Sequence, residues 1–283
     1  MRDAMREHLR QLRYEPTEKR LRAQLDGQPA IDTTRALLVW EPRRVVPSFA
    51  VPVEDVAGEL VPADAGEESE ADILHPGITF AAHSTPGEGF DIHVGGRTLA
   101  QAAFAPADDD FDGYVIVDFS AFDSWQEEDE PLLGHPRDPF HRIDIRRSSR
   151  HVVVERDGVV LAESTRPTLL FETSLPTRFY VPREDVVADL APSDRRTICA
   201  YKGEAGYFAI DGLDLVWVYE DPLLDALPVK GMLCFFDELV DVTVDGRKRA
   251  RPLTKFSKAI VEEARVTSPK APATATAVDK AGR

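Results

Sequence analysis

Apolar and polar residues alternate in short runs along most of the chain, and Gly, Pro or Asp residues interrupt the runs every few positions. That two-residue period places alternate side chains on opposite faces and predicts half-buried strands rather than helices. Residues 151–155 and 159–163 flank Arg156-Asp157-Gly158, where Asp-Gly suits a tight primed turn, so the pair predicts a hairpin. Residues 168–172 and 178–181 predict a second pair around Leu175-Pro176. Pro182, followed by Arg183, Glu184 and Asp185, predicts a short helix with acids in its first turn. Residues 206–210, 215–219 and 232–236, rich in aromatic and aliphatic groups, predict three further strands. Outside these strands, further helices are expected at residues 2–13 and 253–264, and residues 267–283 lack bulky apolar groups and read as a disordered tail.

The pattern occurs twice. Residues 32–41 align without a gap to residues 163–172, a spacing of 131, and Asp26-Gly27 keeps that spacing to Asp157-Gly158. Residues 51–60 match 181–190 after a one-residue slip. Three matches in one order imply an internal duplication. The expected fold is mainly β: two tandem copies of a small antiparallel barrel or sandwich domain with few short helices, related by a pseudo-two-fold. The first, degenerate copy spans 14–130, a structured crossover 131–150, and the second copy 151–250.

Composition narrows the partners. With 34 Lys and Arg against 50 Asp and Glu, the formal net charge is -16. Such a surface repels phosphate backbones and anionic headgroups, so neither nucleic acid nor membrane is the expected partner. No apolar run reaches the length of a membrane span and the N-terminus lacks a signal-peptide core, so a cytoplasmic protein is expected. Two isolated cysteines, Cys199 and Cys234, support neither a disulfide framework nor a zinc site. The acidic stretch at Asp64, Glu67, Glu68, Glu70 and Asp72 reads as a solvated loop.

Several motifs carry a resemblance. Trp125, the His135 to Asp144 segment, Thr165-Arg166-Pro167, residues 175–186, Cys199-Ala200-Tyr201-Lys202-Gly203 and Trp217-Val218-Tyr219 resemble, in their order, the tandem members of the domain of unknown function 427 family. The resemblance runs from about residue 14 to about residue 246. It implies an all-β domain duplicated in one chain, in a bacterial-type family with no established activity, sometimes labelled nucleotidyltransferase-like. Ala200 stands where the family commonly has proline. In the first copy, residues 82–86 stand opposite 200–203 and residues 102–104 opposite 217–219, so that copy reads as having lost the lysine and the tryptophan.

The candidate chemistry therefore concentrates in the second copy. Trp217 and Tyr219 share a strand face and, with Tyr180, Tyr201 and Tyr207, form an aromatic wall. Lys202, at a glycine-assisted turn, offers a point charge to an anion, and Arg183 or Arg178 a planar clamp. The ligand set is Tyr180, Arg183, Tyr201, Lys202, Tyr207, Trp217 and Tyr219, suited to a small planar, aromatic or anionic molecule. The alternative role for these aromatics is simple core. A catalytic reading would use Lys202 or Cys199 as the reacting group with Asp185 orienting it, and a structural or protein-interaction module is the third possibility. Asp185 suits helix-start stabilisation as well as acid chemistry, because Asp55 holds the matching place in the first copy. Nucleotidyl transfer lacks a glycine-rich phosphate loop. His135, His141, Asp138 and Asp144 read as a fixed crossover stiffened by Pro136 and Pro139 rather than a metal site. No cofactor or metal is expected.

Overall fold

The computed structural model describes residues 7–64, 73–75 and 77–252. Its chain divides into two compact units, residues 1–141 with Ile198–Tyr201, and Arg142–Thr197 with residues 202–283.

In the first unit, β1 (Arg13–Pro16), β2 (Leu21–Leu25), β3 (Gln28–Thr33), β4 (Leu37–Trp40), β5 (Ser48–Pro52), β6 (Glu59–Ala63), β7 (Gly87–Val94), β8 (Arg97–Pro106), β9 (Tyr114–Val117), β10 (Ser124–Glu127) and β11 (Glu130–Leu132) follow in order. They form a seven-stranded sheet, β1-β4-β5-β9-β8-β7-β6, and a four-stranded sheet, β11-β10-β2-β3. The second half adds β12 (Ile143–Arg147), β13 (Val152–Arg156), β14 (Val159–Ser164), β15 (Thr168–Glu172), β16 (Arg178–Val181), β17 (Ala191–Cys199), β18 (Gly203–Ile210), β19 (Leu213–Val218), β20 (Leu233–Phe235), β21 (Asp241–Val244) and β22 (Arg247–Lys248). Its sheets run β12-β15-β16-β20-β19-β18-β17 and β14-β13-β21-β22. Strand for strand, the second order repeats the first. Among the described residues no sheet closes on itself by strand pairing, so each unit is a sandwich, not a barrel.

The turns follow from the sequence. Asp26-Gly27, Asp157-Gly158, Asp211-Gly212 and Asp245-Gly246 all have positive φ at both residues, the primed-turn geometry that Asp-Gly accommodates. Pro182 precedes a single 3-10 turn at Arg183–Asp185, as Pro52 does at Val53–Asp55. In the second unit Val152, Val154, Leu161, Leu169, Phe179, Val181, Val218, Leu233 and Val242 fill the space between its two sheets. In the first, Leu21, Ala23, Phe49, Val51, Val117 and Trp125 do the same.

Two expectations change. Within the described part of the predicted N-terminal helix only a short turn at residues 7–8 is helical, because Arg13 already pairs with Trp40 in the sheet. Ile143–Arg147, read as part of the crossover, pairs with Thr168–Glu172 as an edge strand, its Ile143 and Ile145 packing against the aromatic face. The predicted helix at 253–264, the tail, and most of the acidic stretch lie outside the described residues. Among the described residues no helix is long and apolar enough to cross a membrane.

Candidate functional site

Tyr180, Cys234, Trp217 and Tyr207 stand in one register row across β16, β20, β19 and β18. Since Phe179 and Val181 point into the sandwich, Tyr180 must point to the outer face of the seven-stranded sheet, and its row neighbours go with it. Tyr219, Phe236, Leu170, and Ala226 and Val229 of the 3-10 helix at Leu224–Val229 complete the cluster. The Trp217 Nε1–H donates to the Tyr180 hydroxyl at 3.0 Å, and the rings meet edge to face. Burial holds the Tyr180 phenol far above its ordinary range.

Two cations border this face, and each has a carboxylate. Lys202 Nζ lies 2.6 Å from Glu172 Oε2, both side chains buried. Arg178 spans both oxygens of Glu238 at 2.7 and 2.9 Å while its guanidinium lies 5.4 Å from the Trp217 ring centre. Burial opposes the Arg178 charge, but Glu238 and Asp237 outweigh it and keep the group charged. Asp237 is 3.7 Å from Arg178 and keeps a weaker share of that charge, so burial pushes its carboxyl up to about 6.

The Lys202–Glu172 pair has a geometric consequence. Glu172 ends β15 and Lys202 precedes β18, four steps apart in the sheet. In a flat sheet four steps of about 4.8 Å make about 19 Å, beyond the combined reach of the two side chains. Lys202 lies in the turn between β17 and β18, outside the strands, so the pair ties that turn back to the end of β15. In the first unit Glu41, which follows β4, meets His83, which precedes β7, across the same four steps, at 3.2 Å. Arg44 Nε and the Ser84 N–H also donate to Glu41. Burial pushes the Glu41 carboxyl up, but His83, Arg44 and Ser84 together hold it below the ordinary range. His83 in turn stacks on Phe104 with ring centres 3.6 Å apart. A glutamate contact across these strands is therefore common to both units, to Lys202 in the second and to His83 in the first.

The strand registers correct one alignment. Trp217 pairs with Cys234, which pairs with Tyr180, whereas Phe104 pairs with Ile116, which pairs with Ala50. Phe104, not Ala102, occupies the tryptophan's place. By the same registers Ala50 stands for Tyr180, Gly89 for Tyr207 and Pro106 for Tyr219. The uneven lengths of the preceding connections, 64–86 against 200–202, hid this from a direct sequence comparison.

The other singled-out residues lie elsewhere. Arg183 sits over Phe208, 4.9 Å from the ring centre, and pairs with Glu220; Phe208 packs against the sandwich core. Tyr201 belongs to the first unit, where its ring stacks on His141 at 4.5 Å, Arg137 lies over it, and its hydroxyl accepts the Asp138 N–H at 2.8 Å. Burial raises that phenol to about 12. Asp185 accepts from Ser164 Oγ at 2.7 Å and from Arg166 at 2.9 Å, and the arginine chiefly holds its carboxyl below the ordinary range. Asp55 receives Arg35 in the same way. Cys199 is half-buried and Cys234 fully buried, the latter thiol pushed up by burial. Lys202 and Asp185 are thus engaged by different partners, Glu172 for the one and Ser164 with Arg166 for the other. Among the described residues no His, Cys, Asp and Glu group is arranged to hold a metal ion; Asp144 pairs with Arg142 and Arg146.

Sequence reading missed Glu172, Glu238, Asp237 and Phe236. For Glu172 a signal existed, since an acid ends the apolar run in both copies, at Glu41 and Glu172.

The fold and this face define an all-β sandwich protein whose second unit carries an aromatic, charge-paired outer sheet face. Residues 144–246, from β12 to the turn after β21, match the family described as a domain of unknown function (DUF427). Comparison with curated proteins finds no match.

Proposed function

We propose that the second unit binds a small planar molecule against the sheet face carrying Tyr180, Tyr207, Trp217 and Tyr219, beside the Lys202–Glu172 pair. The observation that carries this reading is the contrast between units. The first folds the same sheet with Ala50, Gly89, Phe104 and Pro106 at those four positions, so the fold does not require the aromatic row. Stacking on large rings and hydrogen bonds to their polar ends would fix a planar ligand. Both bordering cations are engaged by Glu172 and Glu238, so an anionic substituent is recognised only where it replaces Glu172 on Lys202. The chain itself we read as a tandem duplication, residues 14–130 and 151–250 joined through 131–150, working in the cytoplasm. Its net charge of -16 disfavours nucleic acid and anionic membrane as partners.

The test is a thermal-shift screen of planar metabolites, nucleobases and nucleotides included. It compares the wild type with a Tyr180→Ala/Trp217→Phe variant that copies the first unit's residues. At a hundredfold excess over Kd, binding adds about 2.7 kcal/mol. A rise in melting temperature in the wild type that the variant loses is expected; no rise with any planar compound overturns the reading.

A further inference from the structure

Outside the face already described, the terminal strand of the second unit's larger sheet is open on one side. β12 pairs with β15, and no strand lies beyond it among the described residues. At the two ends of that pairing the Thr173 N–H donates to the Arg142 carbonyl and the Ser148 N–H to the Pro167 carbonyl, each at 2.9 Å. Residues of an antiparallel strand alternate between bonding toward a neighbour and bonding away from it. Arg142, Asp144, Arg146 and Ser148 therefore turn their backbone groups to β15, and Ile143, Ile145 and Arg147 turn theirs to the open side. The side chains alternate as well. Asp144 and Arg146 share one face, 2.9 Å apart and 28% and 67% exposed, while Ile143 and Ile145 lie on the aromatic face.

The sequence of this edge is complementary to itself. Two copies of β12 laid antiparallel with Ile145 opposite Ile145 bring the open backbone groups into phase. Ile145 then exchanges both hydrogen bonds with its counterpart, and Ile143 does so with the partner's Arg147. Asp144 stands directly opposite the partner's Arg146, on both sides of the axis, in the closer-spaced pairs between the bonded ones. The two neighbouring registers that keep the backbone in phase set Asp144 against Asp144 or Arg146 against Arg146, and like charges directly opposite are destabilising. Charges on an edge strand exclude mismatched partners, and here the strand whose charges match is β12 itself. The first unit shows the contrast. Arg13 pairs with Trp40 as Asp144 does with Phe171, so Pro16 of β1 holds the place of Arg147. The Thr17 N–H bonds inward to the Ala36 carbonyl, which leaves Pro16 on the open side with no N–H to offer. That edge lacks a donor that the second unit's edge keeps.

We propose that β12 is the interface for a second copy of this chain, the two strands pairing antiparallel about a two-fold axis at Ile145 and joining two seven-stranded sheets into one. The contact is isologous, so it closes at two copies and builds no filament. It is independent of any ligand on the aromatic face.

The experiment is sedimentation equilibrium of the full chain at about 0.15 M salt, where the long-range repulsion between two chains of net charge -16 is screened. A monomer–dimer equilibrium is expected in the wild type. Asp144→Arg and Arg146→Asp each set like charges opposite one another, and each alone should dimerise at least tenfold more weakly. An equimolar mixture of the two variants should recover the dimer, because each supplies the charge that the other lacks. A wild type that stays monomeric into the millimolar range overturns the proposal. So does a dimer that neither variant weakens, or one that both weaken and the mixture does not recover. Amide exchange decides the matter without any variant: the Ile145 N–H should exchange more slowly as the wild-type concentration rises, and a rate indifferent to concentration overturns the proposal.

Discussion

Asp237 shows how one residue's surroundings set a measurable property. Glu238 takes both sides of the Arg178 fork, and Asp237 is left at 3.7 Å with burial raising its carboxyl from 3.8 to about 6. The folded state therefore binds this proton more tightly than the unfolded chain does. The resulting stabilisation is complete below about pH 4 and is lost as pH rises through 6, on the order of 2–3 kcal/mol. Asp237→Asn should remove that dependence, so the variant gains stability over the wild type between pH 4 and 7, with the gap widening as pH rises. Urea midpoints at pH 4, 5, 6 and 7 measure it; a constant gap rules the assignment out. Nothing in the sequence marked Asp237, since an acid after an apolar strand reads as a solvated turn. The aromatic residues were legible, because strand periodicity alone puts Trp217 and Tyr219 on one face. Tyr201 and Arg183 were not separable from them, since adjacent positions at a turn or a strand end leave side-chain direction unspecified.

At the scale of elements, what the Lys202–Glu172 pair joins matters more than the charge it carries. Lys202 had the look of a free cation at a glycine turn, and only the tertiary fold brings that turn to Glu172. Long-range approach of this kind has no local signature, whereas the Asp-Gly hairpins, whose geometry is decided within two residues, were readable in advance. Lys202→Met leaves the Glu172 carboxylate, 8% exposed, without its cation, and should cost about 3–5 kcal/mol. Lys202→Met with Glu172→Leu removes both charges and should recover most of that loss. Thermal denaturation of the two variants separates the cases. Equal losses in the single and double variants would mean that the pair does not act as a tie.

At the scale of the whole molecule, the same strand order is built twice around two separate sets of core residues. The apolar alternation fixed which side chains enter each sandwich, and the repeat spacing of 131 announced two such sandwiches, but the outer faces were free to diverge because they do not close the core. Tyr180 against Ala50, Lys202 against His83 and Asp144 against Arg13 are the result. Each unit also carries its own reporter, Trp40 and Trp125 in the first and Trp217 in the second. Phe49 and Phe179 occupy equivalent core positions, 1% and 3% exposed. Truncating either to alanine should cost about 3–5 kcal/mol. If each core sustains its own unit, Phe179→Ala lowers the urea midpoint seen by Trp217 more than that seen by Trp40 and Trp125, and Phe49→Ala does the reverse. Tryptophan-to-phenylalanine backgrounds that leave one reporter at a time distinguish the signals. Equal shifts of both reporters in both variants would mean that the chain unfolds as one cooperative body despite its two cores.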